Sequence, residues 1–140
     1  MIHASIITPD GSIFDGDVDA ISLPTPDGEI TVLPHHIPLI SIVNAGTIMV
    51  RQGKEETLFA CSSGVIEVDG KSIRVLTDTA DRAEKLEEAA VEAAKARAEK
   101  LRSEKRHDEE GFAEATALME RELARLSTIR RQKARGHHAK

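Results

Sequence analysis

Four short stretches carry residues able to do chemistry. "LPHHIPL" (33–39) holds adjacent histidines between prolines, the types that bind a metal or move a proton. His35 and His36 are neighbours in a loop, and neighbours seldom converge on one ion. With no nearby Cys or third His, the sequence offers no metal set there. "DGDVDA" (15–20) opens like a calcium loop, but the sixth position is Ala20 where Gly is needed and the twelfth is Pro26 where a bidentate Glu belongs. Its acids read as the exposed face of a strand. "GVIEVDGKS" (64–72) imitates a phosphate loop, yet five residues instead of four separate Gly64 from Gly70, and "SIRVL" after it favours a strand over the required helix. Cys61, with a histidine as base, would be a nucleophile, but it alternates with apolar residues in a strand pattern, the setting of a small buried hydrophobe. No catalytic residue and no cofactor site emerges, so an adaptor or regulator is indicated over an enzyme.

The elements that must hold these stretches divide the chain in two. All five prolines precede residue 40, whereas beyond Leu76 the chain turns to Ala, Glu, Lys and Arg, which puts a boundary near 78–82. Eight apolar runs lie before it: "HASIIT", "VDAISLPT", "EITVL", "PLISIV", "GTIMVRQ", "ETLFACS", "VIEVD" and "SIRVLTD". Asp69-Gly70 between the last two is a hairpin signal, because the tight turn needs positive φ. Many short strands with regular turns indicate a β-sandwich or barrel.

The second half predicts two helices of about 25 residues and an antiparallel hairpin. Asp81 and Glu84 form a capping-box-like start, and seven alanines between Ala83 and Ala98 favour helix. "RHDEEG" (106–111) is the break, with acids suited to a new helix N-terminus. Phe112, Ala115, Met119, Leu123 and Leu126 recur every three or four residues, one stripe to pack on the first helix.

Composition excludes several classes. With 140 residues, 40% hydrophobic, no Trp or Tyr and three Phe, the core is aliphatic and base-stacking platforms are absent. A net charge of −5 argues against nucleic-acid binding. One cysteine excludes an internal disulfide. The start of the chain shows no leader and no eighteen-residue apolar run occurs, so a soluble chain is expected. Beyond Leu123 there is no acid, while Arg125, Arg130, Arg131, Lys133, Arg135 and Lys140 are basic. This tip suits dipole complementation or an acidic protein partner; His137 and His138 read as solvated ends.

Two long stretches resemble the epsilon subunit of bacterial F-type ATP synthase. "IFDGDVDAISLPTPDGEITVLPHHIPL" is similar to that family's Phe-x-Gly turn, acidic-Gly-Glu turn and Leu-Pro-Gly-His-x-Pro-Leu loop. "CSSGVIEVDGKSIRVLTDTADRAEKL" is similar to its Ser-Gly-Gly strand, hairpin and "V-L-x-D-T-A" junction. The resemblance implies a ten-stranded antiparallel β-sandwich (1–80) followed by a two-helix hairpin (81–140). It implies a non-catalytic, regulatory central-stalk subunit with no metal, peripheral to the cytoplasmic face of the bacterial cell membrane. Its partners would be the gamma subunit, the c-ring and the alpha and beta subunits. Glu29 is then the candidate contact to the polar loops of the c-ring, with His36 near the same end of the sandwich. Helices released from the sandwich would inhibit ATP hydrolysis, Arg121, Arg125, Arg130 and Arg131 meeting acids of the beta subunits. An alanine-rich first helix suits such a switch, since it persists as helix while burying little apolar area.

Two departures from the family pattern matter. Some members bind ATP through Ile/Leu-Asp-x-x-Arg-Ala, but "LEEAAV" (86–91) has Glu87 for Asp and Ala90 for Arg, so no ATP binding is expected. His35 stands where Gly is usual, a tolerable occupant if φ there is positive. Readings from other classes are a free-standing sandwich-hairpin adaptor and a nucleotide sensor; co-purification with gamma and nucleotide titration separate them.

Overall fold

The structure, a computed structural model, describes residues 1–138, with side chains described through Arg135. Lys140 and the side chains of His137 and His138 lie outside the described residues. Ten strands come first: β1 (Ile2–Thr8), β2 (Gly11–Val18), β3 (Ala20–Thr25), β4 (Gly28–Val32), β5 (Leu39–Val43), β6 (Gly46–Gln52), β7 (Glu55–Cys61), β8 (Gly64–Val68), β9 (Ser72–Thr77) and β10 (Ala80–Arg82). A 3₁₀ turn (Ala83–Lys85) leads to α1 (Glu88–Glu104) and α2 (Glu109–His138).

The strands form two five-stranded sheets, β2-β1-β9-β8-β5 and β10-β7-β6-β3-β4. Every pairing is antiparallel except β1 with β9, which is parallel. Alternation builds the core: Ile2, Ala4 and Ile6 of β1 and Ile73 and Val75 of β9 face Ile48, Val50 and Phe59 of the other sheet, all fully buried. The sandwich of the sequence reading is present, and it is not a barrel. The "GVIEVDGKS" stretch is the β8–β9 hairpin, with Gly70 at φ +91° and Asp69 accepting bonds from the Lys71 and Ser72 backbone N–H groups. At Gly64 a Cβ would stand 1.9 Å from the Leu76 carbonyl oxygen, so only glycine lets β8 approach β9 there.

Two strands lie outside the eight apolar runs. β2 is an edge strand whose acids face outward, and β10 has three residues. β10 also corrects the expected helix start. Asp81 pairs with Ala60 in the sheet, and its carboxylate is taken by Arg125 instead of capping a helix. Extended backbone therefore persists to Arg82, and α1 begins seven residues later than Asp81, at Glu88, without a side-chain cap at Glu87. The helices are unequal, 17 and 30 residues, and α2 runs about 45 Å. The break falls at 105–108, shorter than the expected 106–111, with Gly111 inside α2; the acids Glu109 and Glu110 open that helix as expected.

The single apolar stripe also changes. Ala115 and Leu126 are buried and Phe112 and Met119 partly so, but Leu123 is 43% exposed. The reason is that α2 packs on two neighbours, α1 along one face and the β6–β7 surface along another, so no one stripe describes it. β7 carries the mark of this: Leu58, Phe59, Ala60 and Cys61 are all buried, because the core takes one parity and α2 covers the other.

Candidate functional site

The seam between α2 and the sandwich gathers most of the polar chemistry. Ala124 and Thr128 of α2 are buried against the β6–β7 surface, and the Thr128 hydroxyl is hydrogen-bonded to that of Thr47 at 2.6 Å. Around this contact arginines tie α2 down. Arg125 donates Nε and Nη2 to Asp81 Oδ2, at 3.1 and 2.8 Å, and Nη1 to Glu122 Oε1 at 3.0 Å. Arg121 donates to the same Glu122 oxygen at 3.2 Å. Arg131 lies 3.7 Å from Glu29 of β4, and Arg135 reaches Glu56 of β7 while its Nη1 stands 3.4 Å from Met49 Sδ.

The α1–α2 seam is thinner. Its apolar contact comprises Val91, Leu126 and Ile129, with Leu86 beside them. Lys133 pairs with Glu88 and holds that carboxyl below the usual carboxylate range, and Arg130 lies 4.0 Å from Glu92. Near the turn the Arg102 guanidinium stacks 4.8 Å from the Phe112 ring. Glu122 is 1% exposed, and its Oε2 finds no protein partner; Arg102 Nε and Thr116 Oγ1 are likewise buried without one.

The sequence candidates are therefore placed unequally. Arg121, Arg125, Arg130 and Arg131 all sit on α2, each facing an acid of this same chain. Glu29 and His36 do not share an end. Glu29 pairs with Pro24 at the start of β4, whereas His36 follows the far end of that strand and its carbonyl oxygen lies beside the β8–β9 turn, 3.6 Å from where a Gly70 Cβ would stand. Three residues of strand between Glu29 and Val32 already account for about 10 Å. The expectation of a shared end fails because β4 is traversed between the two. His35 adopts φ +68°, and His36 Nδ1 lies 2.8 Å from the Ile37 carbonyl oxygen. Cys61 is buried and its thiol is pushed up to about 11 by desolvation, so it holds little thiolate. His3 lies between Asp17 and Asp15 on the outer face of β1–β2, which raises its pKa.

Glu122, Glu56 and the Thr47–Thr128 pair were not read from sequence, and Asp81 was read there only as a helix cap. Arg125, three residues after Glu122 and therefore on the same helix face, was the available signal for the first.

The sequence profile described as ATP synthase, delta/epsilon chain, beta-sandwich domain matches residues 1–83. The chain belongs to the ATP synthase delta/epsilon family. Epsilon-chain relatives extend the match beyond the sandwich. The ATP synthase epsilon chain of Halalkalibacterium halodurans is 32% identical over 93% of this chain and 98% of its own length. That of Chloroflexus aggregans is 42% identical over 89% of each. The epsilon-family fold is also seen in a chain of the Euglena gracilis mitochondrial ATP synthase structure, at TM-score 0.72 and 21% identity, covering 85% of this chain and 75% of that one. Among the described residues no helix is long and apolar enough to cross a membrane.

Proposed function

We propose that this chain is the non-catalytic epsilon subunit of a bacterial rotary, proton-translocating ATP synthase, peripheral to the cytoplasmic face of the cell membrane through its complex. The observation that carries the reading is the match to curated epsilon chains across sandwich and hairpin together, 93% of the chain in one case. In this role the sandwich (1–80) joins the central stalk beside gamma, and the hairpin (81–140) regulates ATP hydrolysis.

The α2 seam supplies a mechanism. While α2 is docked, Arg125 is neutralised by Asp81 of β10, and Arg131 and Arg135 by Glu29 and Glu56 of the sandwich. Release exposes these guanidinium groups, and acids of the beta subunits replace the sandwich acids as partners. Because both ends of the exchange are ion pairs, the free-energy difference is small, and modest changes in partner contacts shift it. Glu29 is the candidate c-ring contact; His36, at the other end of β4, is assigned to a different neighbour. Glu87 occupies the uncapped start of α1 and Ala90 has no guanidinium, so the Arg needed to grip phosphate is missing.

Reconstitution tests this. A complex carrying residues 1–87 should couple and synthesise ATP but hydrolyse it faster than one carrying the full chain. Equal hydrolysis rates would remove the regulatory reading, and failure of the full chain to join a gamma-containing complex would remove the whole proposal. Calorimetric titration with MgATP should show no micromolar affinity.

A further inference from the structure

We propose that Glu122 is a built-in wedge that keeps the hairpin separable: a carboxylate stripped of water only while the helices are closed, so that it sets how readily the arm opens. The inference deepens the regulatory reading above and rests on it only for the effect on hydrolysis. Glu122 interrupts an apolar row. It stands seven residues after Ala115, four before Leu126 and seven before Ile129, spacings that put all four side chains on one face of α2. The other three are buried, and Leu126 and Ile129 close on Val91 of α1. Glu122 is 1% exposed, a burial that carboxylates almost never reach unless fully paired.

Its pairing is half complete. Oε1 accepts from Arg121 Nε at 3.2 Å and from Arg125 Nη1 at 3.0 Å, while Oε2 finds no protein partner. Both arginines belong to α2 itself, so opening leaves Glu122 its cations and returns water to Oε2. The magnitudes decide the sign. A buried acceptor left without a partner weighs about tenfold against the state that buries it, whereas an ion pair on an exposed helix shifts that helix by about twofold. The carboxylate therefore acts against the closed state. Arg102 Nε of α1 and Thr116 Oγ1 of α2, also buried without a partner, act in the same direction. Arg125 shows the competition: Nε and Nη2 go to Asp81 of β10, and Nη1 goes to Glu122, which leaves with the helix. Without Glu122, Arg125 keeps Asp81, and Arg121, its side chain 33% exposed, turns to solvent, so neither cation is stranded.

The test uses the full chain. Glu122→Leu completes the apolar row, and it should raise hydrogen-exchange protection of 88–104 and 109–135 about tenfold while β1, β8 and β9 keep theirs. Glu122→Gln, the same shape without the charge, should fall between Glu122→Leu and the unaltered chain. If neither variant raises protection of the helices, Glu122 supports the closed hairpin and the proposal falls. An alpha–beta–gamma complex of the same enzyme, reconstituted with each chain, then tests the link to regulation. An arm that stays closed should inhibit less, so the complex with Glu122→Leu should hydrolyse ATP faster than that with the unaltered chain. Raised protection with unchanged hydrolysis would uphold the part played by Glu122 and remove the regulatory reading instead.

Discussion

The sandwich and the hairpin are held by different forces. Seventeen buried residues, nearly all aliphatic, form one continuous core between the sheets. The hairpin closes on itself through Val91, Leu126 and Ile129, and joins the sandwich through buried Ala124, a threonine pair, and arginines paired with acids. Among the described residues, the buried side-chain atoms with no protein partner, Arg102 Nε, Thr116 Oγ1 and Glu122 Oε2, all belong to the hairpin. Aliphatic burial is non-directional and insensitive to salt, whereas ion pairs at a half-exposed seam depend on geometry, salt and competing charges. One region is insensitive to salt and competing charge, and the other is open to both.

The largest effects should separate them. Phe59→Ala removes a fully buried ring from the sandwich and should destabilise the whole chain by about 4 kcal/mol in denaturant titration. Arg125→Ala should cost about 2 kcal/mol, since it strips Glu122, 1% exposed, of one of its two cations. The loss should appear as faster hydrogen exchange over 109–135 with the β-strands unchanged. Adding Glu122→Leu to Arg125→Ala should recover most of it, because the stranded buried carboxylate is then gone. If Arg125→Ala instead lowers protection of β1, β8 and β9 equally, the two regions unfold as one and the comparison fails.

The same difference decided what the sequence made legible. Alternation over "ETLFACS", the Asp69-Gly70 turn and the proline boundary place strands, because a hydrophobic core imposes a period of two on the residues that fill it. β2 escaped that test, being an edge strand whose outward positions are acids, and so did three-residue β10. The hairpin seam was nearly invisible. Leu123 completed an ideal stripe and is nonetheless exposed, while Thr128, polar and unremarkable in sequence, is fully buried. A stripe reports one apolar neighbour; a helix with two neighbours, one contacted through Thr and Arg, leaves no periodic trace. The acid-free, basic stretch beyond Leu123 was readable in sequence, but Asp81, Glu29 and Glu56 could be matched to Arg125, Arg131 and Arg135 only in three dimensions.

Smaller perturbations sharpen the contrast. Thr128→Val leaves the Thr47 hydroxyl without its partner and should loosen the hairpin by about 1–2 kcal/mol, while Thr47→Val/Thr128→Val together should be nearly neutral, a non-additivity that a double-mutant cycle reads directly. Raising salt to about 1 M should weaken docking by less than about 1 kcal/mol per exposed pair, Arg131–Glu29 among them. Acid should act on the hairpin through Glu88. Its folded pKa is depressed by Lys133, so its contribution is present above the ordinary 4.5 and disappears as pH falls through the lowered value.

The smallest effect belongs to the sandwich and has the opposite sign. His3 is raised above 6.5, first by its hydrogen bond to Asp17 and then by that to Asp15. Its contribution is therefore complete below 6.5 and is lost as pH rises through the raised value. The imidazole should titrate above 6.5 by NMR and fall back toward it in Asp15→Asn/Asp17→Asn. His3 sits on the outer face of β1–β2, in the sheet that α2 does not cover, so its deprotonation should shift β1 and β2 resonances and leave those of α2 in place. Matching shifts along 121–131 over the same pH range would mean that the two sheets transmit charge to the hairpin, and the division between a persistent body and an exchangeable arm would have to be redrawn.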